Sequence, residues 1–133
     1  MSKILIIDDD SLVRHAYELT LEDLDYEVDA VESGEEGLEK IRNNEYGLVF
    51  LDLNMPGMNG VETLRELRKI DKNLTVYIVS GFHNAFLEEL RKIKEDGIHF
   101  ELARKPLSRD QLKEIVENVI HPEAHSSEEI DGE

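Results

Sequence analysis

Ile4-Leu5-Ile6-Ile7-Asp8-Asp9-Asp10 is the stretch that decides the fold: four consecutive apolar residues run directly into three carboxylates. A strand that is apolar at every position, rather than at alternate ones, has to be covered on both faces, as strands of a parallel sheet are. The run is too short for a membrane span or a signal-peptide core, and only Met1-Ser2-Lys3 precedes it. Moving outward, two more runs have the same character, Leu48 to Leu51 and Val76 to Val79. Tyr26 to Val31, which alternates, and Phe100 to Ala103 are weaker strand candidates.

Between these runs the apolar residues recur at helical spacing. Leu12, Ala16 and Leu19 share a face, as do Val61, Leu64 and Leu67 or Arg68; Leu112, Ile115, Val116 and Val119 form the clearest stripe. Ser33-Gly34-Glu35-Glu36 and Ser108-Arg109-Asp110-Gln111 both fit a capping box, and Asp10 or Ser11 is placed to cap the first helix. Five strands alternating with five helices predict an α/β domain, a flavodoxin-like (βα)5 fold. Its five-stranded parallel sheet would have the order 2-1-3-4-5, with helices on both faces. In that order a ligand site lies beyond the carboxyl ends of the strands, where the winding reverses between the first and third.

The composition narrows the function. The chain has 133 residues and no cysteine, so one core without disulfides or zinc–thiolate sites is expected. Its 31 acidic and 15 basic residues give a net charge of −16, which repels nucleic-acid phosphates and anionic membranes. A soluble, cytoplasmic protein without a nucleic-acid or membrane partner follows as the expectation. Five of the acids and no Lys or Arg fall in residues 121–133, leaving −11 for residues 1–120. The first 120 residues read as the domain, and 121–133 as an acidic, disordered tail.

Polar residues gather where the topology predicts a site. Asp8, Asp9 and Asp10 follow the first strand, Asp52 closes the third, Ser80-Gly81 end the fourth, and Arg104-Lys105-Pro106 follow the fifth. Each alone has a plain structural reading: an acidic turn with an N-cap, a turn-rich loop, a surface hydroxyl, a surface lysine. Together they place carboxylates that repel one another in one crevice, which a hard divalent cation with oxygen ligands relieves; Mg²⁺ fits best. A carboxylate beside such an ion, with an ammonium and a hydroxyl aimed at the same spot, can attack a phosphoryl group and become an aspartyl phosphate.

The order and spacing of these motifs resemble the receiver domains of two-component response regulators over roughly residues 3 to 120. The motifs are Ile4 to Asp10, Leu51-Asp52-Leu53-Asn54-Met55-Pro56-Gly57-Met58-Asn59-Gly60, Val79-Ser80-Gly81 and Lys105-Pro106. The resemblance implies that Asp52 is the phosphoacceptor and that Asp8 and Asp9, with Asp52 and the backbone carbonyl of Asn54, hold Mg²⁺. It makes Ser80 the hydroxyl that moves towards the phosphoryl group, Lys105 its ion-pair partner, and the bond before Pro106 cis. It further implies a histidine kinase or phosphotransfer protein as phosphoryl donor, and a downstream protein partner meeting the fourth helix, fifth strand and fifth helix near Phe82, Phe86 and Leu102. Such a protein is not an enzyme beyond its own phosphoryl transfer and dephosphorylation. Two features depart from the family pattern: Leu102 stands where a Tyr or Phe is usual, with Phe100 the nearest aromatic, and Gly97 to Lys105 is one residue longer than usual. Asn54 and Phe82 occupy positions that tune phosphoryl lifetime, in opposite directions.

Two alternatives use the same residues. A haloacid-dehalogenase-type phosphatase would take Asp8 as nucleophile, Asp10 as acid, Ser80 as phosphate-binding hydroxyl and Lys105 as cation. It lacks the acidic pair expected beyond the lysine, because 108–120 reads as an amphipathic helix containing Asp110 and Glu114. A pseudo-receiver binding module would have lost the acidic pocket or the lysine, and both are present. The histidines, His15, His83, His99, His121 and His125, show no metal-binding pairing.

Overall fold

The computed structural model describes residues 3–81 and 86–122. Five strands and five helices alternate along the chain: β1 (Lys3–Ile7), α1 (Ser11–Asp23), β2 (Glu27–Val31), α2 (Gly34–Asn43), β3 (Leu48–Asp52), α3 (Gly60–Ile70), β4 (Val76–Ser80), α4 (Leu87–Glu95), β5 (Glu101–Arg104) and α5 (Arg109–Ile120). All neighbouring strands pair in parallel, in the order β2-β1-β3-β4-β5, so the expected topology is the observed one.

The unbroken apolar runs are explained by what covers the sheet. In β1, Leu5 and Ile7 pack with Val49 and Leu51 of β3 against Leu38, Leu64, Leu67 and Ile93 from α2, α3 and α4. The intervening Ile4 and Ile6 pack with Leu48 and Phe50 against Tyr17 and Leu21 of α1 and Leu112 and Val116 of α5. Neighbouring residues thus enter two separate cores, and each fully buried Leu or Ile contributes roughly 1.5–3 kcal/mol.

α1 corrects the sequence reading. The face through Leu12, Ala16 and Leu19 is turned to solvent, with Leu12 79% and Leu19 57% exposed, while Tyr17 and Leu21 are the buried residues. Two apolar stripes run along this helix, and the bulkier one meets the sheet. The helix starts are close to expectation. Asp10 caps α1 by accepting from the Leu12 and Val13 N–H groups, and Ser108 and Gln111 close a full capping box on α5. On α2, Ser33 accepts from the Glu36 N–H, but the Glu36 carboxylate reaches the N–H of Glu32 rather than that of Ser33. α3 has a capping box, Asn59 with Glu62, that the sequence reading passed over.

The acidic segment from residue 123 onward lies outside the described residues, as do Phe82, His83 and His125. No described helix is long and apolar enough to cross a membrane.

Candidate functional site

The carboxyl edge of the sheet carries the polar exceptions to the core. Asp8, Asp52 and Ser80 are among the few buried polar side chains, at 2%, 6% and 2% exposure. Each stands at a strand end: Asp8 follows β1, Asp52 closes β3, and Ser80 closes β4. Lys105 follows β5 and is tied to this edge by its backbone N–H, which donates to the Ser80 carbonyl at 3.2 Å. The Lys105–Pro106 peptide is cis, as the resemblance implied.

Lys105 joins two of the strands through its side chain. Its Nζ lies 2.9 Å from Asp8 Oδ2 and 3.2 Å from Asp52 Oδ1. The other Asp8 oxygen, Oδ1, accepts from the Asp10 N–H at 3.0 Å. The Asp8 N–H donates to Val31 in β2, and the Asp8 carbonyl accepts from Arg14 Nη1 at 2.9 Å. Asp9 is exposed, yet one oxygen from each of Asp8, Asp9 and Asp52 lies within 4.8 Å of the others. Asn54, two residues past Asp52, is exposed.

The electrostatics show what this cluster lacks. Burial, then the Asp8 carboxylate, push the Asp52 pKa up to about 6, and Lys105 only partly offsets them. For Lys105, burial opposes the charge, but its hydrogen bond to Asp8 and the charges of Asp52 and Asp8 outweigh it and raise its pKa. Burial, then the same two carboxylates, Asp8 and Asp52, raise the pKa of Tyr17, whose ring lies tilted against Phe50 at 5.3 Å. Two of the three carboxylates, Asp8 and Asp52, therefore share one ammonium, and Asp9 adds a third negative charge beside them. The donor set, hard oxygens gathered in one crevice with excess negative charge, fits the Mg²⁺ expected from the sequence.

One backbone detail escaped the sequence reading. A Cβ at Gly60 would collide with the Asp52 carbonyl and come within 2.7 Å of Leu53 Cα, so α3 can begin against the end of β3 only with glycine there. The Gly60 N–H, donating to the Leu53 carbonyl at 2.9 Å, fixes that approach. The only sequence signal was the turn-rich character of Met55 to Gly60.

This geometry coincides with a family match: the model of the response regulator receiver domain covers residues 4–117. The chain belongs to the receiver family. The cell cycle response regulator CtrA of Brucella ovis is 34% identical over 113 residues, 83% of this chain and 46% of that protein. The hybrid signal transduction histidine kinase L of Dictyostelium discoideum is 31% identical over 122 residues, 87% of this chain and 7% of that protein. The receiver thus spans less than half the length of these curated relatives. Among solved structures, a CheY-like receiver domain protein of Methanospirillum hungatei superposes with a TM-score of 0.79 at 30% identity, covering 94% of this chain and 98% of that one. Response regulator TrrA of Thermotoga maritima, solved in complex with Mg²⁺-BeF, gives a TM-score of 0.75 at 32% identity, with 90% and 99% covered. Receivers of this family are signalling modules of two-component and phosphorelay systems, take a phosphoryl group on aspartate and bind Mg²⁺ at an acidic pocket.

The family departures also have positions in the structure. Leu102 pairs in register with Ile78 and is 45% exposed, whereas Phe100 is partly buried against the α2–α3–α4 core with the Lys94 ammonium 5.6 Å from its ring centre. Between Gly97, at φ +80°, and the start of β5 at Glu101 the chain runs without helix or strand. There the His99 carbonyl accepts from Arg68 Nε at 3.2 Å and Nη2 at 2.7 Å. The acidic pair that the phosphatase alternative needs at a strand end beyond the lysine is not found there: Arg109–Ile120, with Asp110 and Glu114, is helix.

Proposed function

We propose that the chain is a phosphorylation-activated response regulator in which Asp52 accepts a phosphoryl group from the phosphohistidine of a histidine kinase or phosphotransfer protein. The observation that carries this reading is Lys105 bridging the buried carboxylates Asp8 and Asp52 at 2.9 and 3.2 Å, with Asp9 completing a three-carboxylate cluster. An Asp52 oxygen attacks phosphorus, the phosphorus–nitrogen bond to the imidazole breaks, and the acyl phosphate remains on Asp52. Mg²⁺ held by Asp8, Asp9, Asp52 and the Asn54 carbonyl would supply positive charge to the phosphoryl oxygens when bound. Lys105, already 3.2 Å from Asp52, pairs with a phosphoryl oxygen and shifts its charge away from Asp8. Ser80, at the end of the neighbouring strand β4, supplies the hydroxyl that follows the new charge.

In this reading the acceptor domain is residues 1–120, with 121–133 an acidic tail. It acts in the cytoplasm, and its output is altered affinity for a protein partner rather than for nucleic acid or membrane. The domain catalyses only its own phosphoryl transfer and dephosphorylation. Incubation with acetyl phosphate and Mg²⁺ followed by intact mass measurement tests it. A phosphoryl adduct that requires Mg²⁺ is the expected result. A folded protein that takes up no phosphoryl group would instead be a pseudo-receiver binding module.

A further inference from the structure

Asp8, Asp9 and Asp52 are not held in place by the same means. Asp8 and Asp52 are buried and share Lys105, and Asp8 also accepts from the Asp10 N–H. Asp9 is exposed, and among the described residues its carboxylate makes no hydrogen bond or ion pair. Its position relative to the other two is therefore set by the backbone of the β1–α1 turn, and the first peptide of that turn joins the Asp8 carbonyl to the Asp9 nitrogen. Arg14 grips that carbonyl, through Nη1 at 2.9 Å.

Helix electrostatics give no reason for Arg14 to be where it is. It is the fourth residue of α1, close to the positive end of the helix dipole, where a cation is disfavoured, and the last turn of α1, where one would be favoured, carries none. The side chain is half-buried and folds back over the turn. Together with the bond from its own N–H to the Asp10 carbonyl at 3.0 Å, it ties α1 to both ends of the acidic triplet.

We infer that Arg14 is a positioning residue for the divalent-cation site: by clamping the Asp8 carbonyl it fixes the Asp8–Asp9 peptide and holds the Asp9 carboxylate beside those of Asp8 and Asp52. The inference rests on the proposed function, which makes these three carboxylates the metal ligands. It also has a sign that separates it from simple charge. A guanidinium beside a cation site repels the cation, so its removal by itself tightens binding; loss of a clamp weakens it.

The test is calorimetric titration of Mg²⁺ into the unphosphorylated full chain, as wild type, Arg14→Ala and Arg14→Lys, beside the Mg²⁺ dependence of phosphorylation by acetyl phosphate. Arg14→Ala should weaken Mg²⁺ binding about tenfold. The half-saturating Mg²⁺ concentration should rise by the same factor, while the limiting rate at saturating Mg²⁺ stays unchanged. Arg14→Lys, whose ammonium can donate to the same carbonyl, should restore most of the affinity. Unchanged or tighter Mg²⁺ binding by Arg14→Ala overturns the inference, and so does a lower limiting rate at unchanged affinity. If the alanine variant fails to fold, Arg14→Met, which keeps the apolar stem but cannot donate to the carbonyl, replaces it with the same two outcomes. Wild-type protein that binds no Mg²⁺ would overturn the proposed site itself, a result distinct from a wild type that binds while the variants bind equally well.

Discussion

Strands β3 and β5 deliver two residues to one site from opposite structural situations. β3 lies at the centre of the sheet between β1 and β4, and all five of its residues are buried, ending with Asp52. β5 is an edge strand, paired only with β4; three of its four residues are exposed, and Lys105 follows its last one. The carboxylate proposed as acceptor thus stands on the most buried strand, while its counter-charge follows the most exposed one. A carboxylate that must meet a donor in one geometry gains from the first arrangement, and a cation that must change partners gains from the second.

The largest effect that could break this contrast is on stability. Phe50→Ala, in the middle of β3 between Tyr17 and Tyr77, should cost about 3–5 kcal/mol by denaturant titration. A cost comparable to that of a surface change would mean the centre is not the rigid part. Next, Mg²⁺ at a hundred times its dissociation constant should stabilise the wild type by about 2.7 kcal/mol and Asp8→Asn by far less, as read from urea midpoints. Equal stabilisation of both would remove Asp8 from the metal site.

Asp52 itself predicts a pH dependence in metal-free protein. Its pKa is raised by burial and by Asp8 from 3.8 to about 6, so the folded chain binds a proton more tightly than the unfolded one. Stability from this group is fully present at low pH and falls as pH rises from about 4 to about 6. Asp52→Asn should therefore be more stable than wild type at pH 7, by on the order of 2 kcal/mol, with the difference shrinking towards pH 4. Thermal melts at both pH values check this; a variant less stable at pH 7 would reverse the sign. The smallest effect belongs to the edge: Leu102→Ala, at 45% exposure, should cost under about 1 kcal/mol. A loss matching that of Phe50→Ala would show β5 to be as constrained as β3.

The same centre-to-edge gradient governs what could be read from the sequence. β1, β3 and β4 were plain because both faces are covered, so residues 4–7, 48–51 and 76–79 are apolar throughout and give way at once to Asp8, Asp52 and Ser80. β5 was weak because an exposed edge permits Glu101 and Arg104 beside Leu102 and Ala103, which blurs the pattern. In α1 the spacing of Leu12, Ala16 and Leu19 is as helical as that of Val13, Tyr17 and Leu21, and only packing decides which stripe is inside. The metal-ligand candidates were legible as residue types at strand ends. Gly60 and Arg14 were not, because both act on backbone atoms, the Asp52 and Asp8 carbonyls, which leave no mark in a side-chain pattern.

The central claim, that Asp52 is the phosphoacceptor, is tested most directly by trapping the acyl phosphate. After reaction with acetyl phosphate and Mg²⁺, borohydride reduction converts the modified aspartate to homoserine, which peptide mass spectrometry locates. The account predicts homoserine at residue 52 and none in Asp52→Asn. Homoserine at residue 8, persisting in Asp52→Asn and lost in Asp8→Asn, would contradict it.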